Sequence, residues 1–135
     1  MRHYLQHGVA LLYGIAFLYI GIMHFINPMV FVDIVPPYFP NPIFWVYLTG
    51  VMEVAIGGAV IYPKTRVYGG RFLLFFLPVI YLANIHMWLN DVPFRGYRMT
   101  QLEHLYRLLA QLALLGVALG FARGDQVASS TNIDQ

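Results

Sequence analysis

The chain has 135 residues, 59% of them hydrophobic and 10% charged, with a formal net charge of +2 and no cysteine. A soluble domain of this size carries about a quarter charged residues and has too much surface for its volume to hide so many apolar side chains, so the composition is that of a membrane protein. The small, scattered positive charge argues against a nucleic-acid partner, and the lack of thiols excludes disulfide exchange and thiolate-held zinc or iron–sulfur clusters by this polypeptide.

The first apolar segment runs from Gly8 to Ile26. It is longer than a signal-peptide core and has no small-x-small cleavage site, so it is expected to remain in the membrane. His24 stands near its end, on a face with Tyr13, Phe17 and Ile20. The stretch "HFINPMVFVDIVPPYFPNP", His24 to Pro42, then brings five prolines and a single aspartate. Each proline removes one backbone N–H that would need a partner in apolar surroundings. The stretch is therefore expected to be an interfacial loop, with Asp33 and Pro36 at the rim of a polar mouth.

The second segment, Pro42 to Tyr62, carries Glu53 about midway. Eleven residues of helix place that carboxylate about 16 Å into a ~30 Å hydrocarbon slab. An unpaired charge there costs several kcal/mol, roughly, so a partner is required. Gly50 and Gly57, at i−3 and i+4, strip bulk from the same face.

The third segment, Val67 to Leu89, carries Tyr81, Asn84 and Trp88 on one face. His86 points some 200° away from Asn84, so only one of the two can enter a common pocket; Asn84 is taken as the inward residue. The fourth segment, Leu102 to Ala122, opens with Glu103, His104, Arg107 and Gln111. Arg107 is the expected partner of Glu53, with Glu103 and Gln111 in its stripe and His104 on the rim. The tail, residues 123–135, is polar and expected to be disordered outside a transmembrane domain of residues 1–122.

Segments of about 20 apolar residues satisfy the length needed to cross a bilayer and must be helical to pair their own backbone. The expected fold is all-α, an integral membrane antiparallel four-helix bundle with an interfacial loop between the first two helices. Gly14 and Gly21, Gly50 and Gly57, and Gly116 and Gly120 mark faces where helices can approach closely. Arg2, Lys64, Arg66, Arg71 and Arg123 gather at the end carrying both termini, which the positive-inside rule puts in the cytoplasm. The polar set, His24, Glu53, Asn84, Arg107 and Gln111, converges on the opposite half, where Tyr38, Trp45, Trp88 and Phe94 supply interfacial aromatics.

His24, His86 and His104 form no His-x-x-x-His pair, and the chain has no Cys-x-x-Cys-His attachment motif, so neither haem nor a metal site is expected among them. The serines all lie in the tail, so no Ser/His/Asp nucleophile can be assembled.

The blocks "GIMHFINP", "VPPYFPNP", "LTGVMEVAIGG" and "LANIHMWLND", in that order from Gly21 to Asp91, resemble the DoxX family of small four-helix membrane proteins. The resemblance implies an inner-membrane bundle whose relatives include subunits linked to quinone-dependent sulfur oxidation. It carries over onto His24, Pro28, Pro36, Gly50, Glu53 and Asn84. The expected function is a redox-linked subunit, possible oxidoreductase chemistry included, that binds a quinone-like or other amphiphilic small molecule, with Glu53 handling protons. Two alternatives stand beside it: an assembly subunit in a membrane complex or homo-oligomer, where the polar residues only lock the helices, and a lipid isomerase or transporter.

Overall fold

The computed structural model describes residues 2–124. It contains five helices, α1 (Arg2–Ile26), α2 (Met29–Val32), α3 (Pro42–Ile61), α4 (Arg66–Leu89) and α5 (Gln101–Ala122), and no strand among the described residues. The protein is all-α, and the four longer helices are long and apolar enough to cross a membrane. Seven of the eight boundaries of the long helices fall within one residue of the apolar runs, because hydropathy ends where the backbone must turn. α1 begins earlier than the apolar run. α2 is a single turn inside the proline-rich stretch, and the expected disordered tail lies outside the described residues apart from Arg123 and Gly124.

Local chemistry sets the ends. Pro42 occupies the first turn of α3, where its missing N–H costs nothing, after Asn41 in a left-handed conformation (φ 54°). Tyr62, extended as a residue before proline prefers, ends α3 at Pro63. The last carbonyls of α3 are then covered by side chains: Thr65 Oγ1 donates to Ala59 O (2.8 Å), and Arg66 donates from Nε to Val60 O (2.9 Å) and from Nη2 to Ile61 O (3.1 Å). A cation at a helix C-terminus also opposes the negative end of its dipole. α5 starts with a capping box: the Thr100 hydroxyl accepts from the Glu103 amide, and the Glu103 carboxylate accepts from the Thr100 amide at 2.7 Å.

α1 and α3 run in opposite directions, Gly14 lying on Gly57 and Gly21 on Gly50, and so do α4 and α5, where Leu77 meets Gln111 and Asn84 meets Arg107. α1 packs extensively on α3 and α4 on α5, with a thinner seam between α3 and α4, while α2 rests on α3. The α1–α3 contact is backbone to backbone. A Cβ added at Gly14 would lie 2.7 Å from the Gly57 carbonyl oxygen and one at Gly57 would lie 2.7 Å from that of Gly14, so glycine is required on both sides. Gly21 and Gly50 repeat the pattern seven residues along. By contrast, Gly116 and Gly120 of α5 face open space. One apolar cluster joins the long helices through Tyr13 and Phe17, Ile56 and Val60, Leu73 and Phe76, and Ala118 and Phe121. Many large apolar residues, Leu12, Phe75 and Leu112 among them, point outward.

Candidate functional site

Two helix pairs that hold themselves together leave space between them, and several of the polar residues within the helices meet there. A cavity of about 560 Å³ lies between α1, α3 and α4, closed at one end by α2 and the chain before α3 and bounded by Phe94, Arg95 and Arg107 from the α4–α5 region. Its walls are mainly apolar and aromatic. Beside Thr49 and Arg95, polar side chains from four helices reach it: His24, Glu53, Asn84 and Arg107.

Glu53 is nearly inaccessible (5% exposed), as is His24 (7%), and His24 Nδ1 lies 3.2 Å from Glu53 Oε2. Closeness here is not a hydrogen bond. His24 Nδ1 is nearer to the Ile20 carbonyl oxygen (2.8 Å), and since a carbonyl can only accept, the Nδ1 proton goes there. Among the described residues, Glu53 Oε2 is left buried with no hydrogen-bond partner. Such atoms are rare in folded proteins and expensive, which marks this one as a position where something else belongs. The His24 ring is also stacked on Phe31 of α2 (centroids 3.8 Å, 16° between planes), so its orientation is fixed from both sides.

Arg107 was the expected partner of Glu53, and it pairs elsewhere. Its Nη1 donates to Asn84 Oδ1 at 2.7 Å, and its guanidinium lies 5.5 Å from the centre of the Phe94 ring. The reason is helix adjacency: α5 packs on α4, so the cation meets an α4 amide before it can cross the cavity to α3. The expected polar stripe on α5 divides in the same way. Gln111 is buried and donates to the Leu77 carbonyl oxygen of α4 (2.7 Å), away from the cavity. Glu103 is engaged in the capping box and in accepting from the Tyr97 hydroxyl (3.0 Å).

Of the expected rim, Pro36 is buried on the cavity wall, whereas Asp33 is exposed and off it. His104 is buried (3% exposed) and stacked on Trp88, with centroids 5.3 Å apart and planes 6° apart, rather than on the rim. His86 stays outside the cavity, bonded to Asn90 Nδ2 at 2.9 Å, while Asn84 faces it. Among the described residues no group of three His, Asp or Glu side chains is placed to hold a metal ion.

Two aromatic residues not assigned to the site by sequence close the cavity toward one end. Phe31 touches Phe94 edge to face (centroids 6.2 Å). Phe94 lies in a four-residue turn with Arg95 (φ 54°) and Gly96 (φ 76°) at its centre and reciprocal backbone bonds between Phe94 and Tyr97 (2.9 and 3.0 Å). Two successive positive φ values give the hairpin turn that suits glycine and strains arginine. The signal for this turn, "FRGY", was present in the sequence, as was Thr100-x-x-Glu103 for the capping box.

The site therefore offers a rigid cation with an amide behind it, an unsatisfied buried carboxyl group beside an oriented imidazole, and aromatic walls between. No curated protein and no solved structure matches the chain. Residues 13–122 match the family described as Domain of unknown function (DUF8561), and the chain belongs to that family.

Proposed function

We propose that the protein is an integral membrane four-helix bundle that binds an amphiphilic small molecule, quinone-like in character, in the cavity between its helix pairs. The observation that carries this reading is the unpartnered Glu53 Oε2 on the wall of a cavity of about 560 Å³. Ligand cavities typically span roughly 300–1,000 Å³ and combine apolar walls with a few convergent polar groups. A polar head placed here would take hydrogen bonds from the remaining donors of Arg107 and meet the carboxyl group of Glu53 at its other side. Its apolar body would lie along Phe31, Phe39 and Ile80. Glu53, beside an imidazole, is suited to accept or return a proton as such a head group changes state.

The likeness to DoxX proteins in four sequence blocks supports a redox-linked role as a subunit of a larger inner-membrane assembly or homo-oligomer. Lys64, Arg66, Arg71 and Arg123, at the end that carries the α3–α4 turn, favour cytoplasmic termini, with the Glu53 cavity in the outward half.

The test is purification in mild detergent followed by mass spectrometry of co-extracted small molecules, with an absorption spectrum to detect haem. An amphiphile retained by the wild type and lost in Glu53→Gln and Arg107→Gln is expected. Absence of any retained small molecule, together with unaltered association with partner subunits in both variants, would replace this reading with a purely assembling role.

A further inference from the structure

A second cavity, of about 380 Å³, opens at the other end of the molecule, between the start of α1, the α3–α4 turn and the end of α5. Its walls are mostly apolar: Leu5 and Val9 from α1, Val67 from α4, Val117 and Phe121 from α5. A guanidinium, that of Arg66, stands in it. It is fixed from behind: Nε donates to Val60 O, and Nη2 donates to Ile61 O and to His7 Nδ1 (3.2 Å). A guanidinium has five N–H groups. Those bonds use the proton on Nε and the pair on Nη2, which, among the described residues, leaves the two donors of Nη1 for a ligand.

The surroundings select the ligand's charge. Lys64, Arg71 and Arg123 are exposed at this same end. The described carboxylates are elsewhere: Asp33 and Asp91 in the connections at the far end, Glu103 at the start of α5, and Glu53 midway along α3. The apolar walls select the rest. Apart from Gln6 and His7, the wall beside a free phosphate on Arg66 is formed by Leu, Val and Phe side chains that offer its remaining oxygens no hydrogen bond. A phosphate that carries acyl chains meets no such penalty, because its tail takes the apolar wall and its polar oxygens face the interface.

We propose that this cavity is a binding site for an anionic phospholipid, with the headgroup phosphate on Arg66 Nη1 and an acyl chain against Val117 and Phe121. The inference rests on the membrane reading given above. Arginine suits the role through its fixed geometry for phosphate oxygens, and the flanking cations add the general attraction of a basic surface for anionic lipid.

The experiment uses the full chain in dodecyl maltoside micelles, with native mass spectrometry and thermal unfolding in the presence of dioleoyl phosphatidylglycerol, dioleoyl phosphatidylcholine or inorganic phosphate. Phosphatidylglycerol is expected to be retained about fivefold more tightly than phosphatidylcholine, the preference expected from one cation near the surface. Inorganic phosphate is expected to give no stabilisation. Arg66→Gln should abolish the preference, but it also releases the carbonyls at the end of α3. Gly120→Leu is the cleaner variant, because Gly120 lines the cavity and a Cβ there meets nothing within 4 Å. It should fill the cavity and remove the preference, while unfolding in lipid-free micelles occurs no lower than in wild type, since leucine is the better helix former.

Equal retention of the two lipids, stabilisation by inorganic phosphate that matches the lipid, or a preference that survives Gly120→Leu overturns the proposal. Alkaline carbonate extraction separates its failure from that of the membrane reading. A chain that stays in the membrane pellet yet shows no lipid preference refutes the lipid site alone, whereas a chain released to the supernatant refutes both.

Discussion

Gly21 and Gly50 face each other where α1 crosses α3: a Cβ on Gly21 would lie 2.9 Å from the Gly50 carbonyl oxygen, and one on Gly50 would lie 3.1 Å from that of Gly21. His24 and Glu53 each follow one of these glycines by three residues, so the backbone approach carries His24 Nδ1 to within 3.2 Å of Glu53 Oε2. Gly50→Ala would put a methyl group 2.7 Å from His24 Cβ. Overpacking of that kind costs about 1–3 kcal/mol. Gly58→Ala, on the same helix but facing open space, should instead gain roughly 1 kcal/mol from helix propensity. Thermal unfolding in detergent compares the two, and a Gly50→Ala protein as stable as wild type would contradict the close crossing.

Asn84 is the anchor of Arg107. Removing the acceptor with Asn84→Leu should cost about 1.5–3 kcal/mol, the range for hydrogen bonds to charged groups. Asn84→Asp keeps an acceptor at the same place and should remain near wild type. Denaturant unfolding of both variants decides whether the 2.7 Å contact matters or is incidental.

Phe94 closes the cavity against Phe31. The chain has no cysteine, so Ala83→Cys, on the cavity wall, introduces a single reporter thiol. Adding Phe94→Ala to that variant should raise the rate of labelling by a small thiol reagent several-fold. Unchanged labelling would mean that access does not pass this ring.

Tyr97 supplies a pH dependence outside the helices. Its hydroxyl donates to the Glu103 carboxylate (3.0 and 3.2 Å), and that bond, followed by the negative charge beside it, raises the pKa of the phenol above its ordinary value. The folded chain thus holds this proton more tightly than the unfolded chain. The resulting stability is fully present below the ordinary phenol value of about 10 and is lost as pH rises through the folded value. Wild-type melting temperature should fall more steeply than that of Tyr97→Phe in this alkaline window; parallel curves would remove the role of this hydrogen bond.

Membrane topology is tested by the same absence of native thiols. Single-cysteine variants Lys64→Cys and Arg98→Cys place reporters on the α3–α4 turn and the α4–α5 connection. In sealed inverted and right-side-out vesicles, an impermeant maleimide should label them from opposite sides, with Lys64→Cys facing the cytoplasm. Labelling of both from one side would overturn the spanning arrangement.

The helices were legible from the sequence because each apolar run has to close its own backbone hydrogen bonds, and prolines and polar residues mark where that stops. Depth along the helix was legible too, which is why His24, Glu53, Asn84 and Arg107 meet one cavity. What depth could not give was the choice of partner around the helix axis. Glu53 and Arg107 were matched by level and opposite charge, yet α1 is the neighbour that reaches Glu53 and α4 the one that reaches Arg107. The missed clue was the glycine at i−3 from both His24 and Glu53, since paired small residues tell which helices touch. Gln111 and Glu103 went astray for a related reason: each is used by a backbone group, Leu77 O and the Thr100 amide, that a count of polar side chains leaves out.

The unequal contacts between helices have a consequence for biosynthesis. α1 with α3, and α4 with α5, each form a hairpin that grips itself more firmly than it grips the other across the α3–α4 seam. A nascent chain can complete the first hairpin, glycine contacts included, before α5 has left the ribosome. Two fragments severed between Pro63 and Lys64 are then expected to recombine when co-expressed, remaking the contacts of Thr65 and Arg66 with the end of α3.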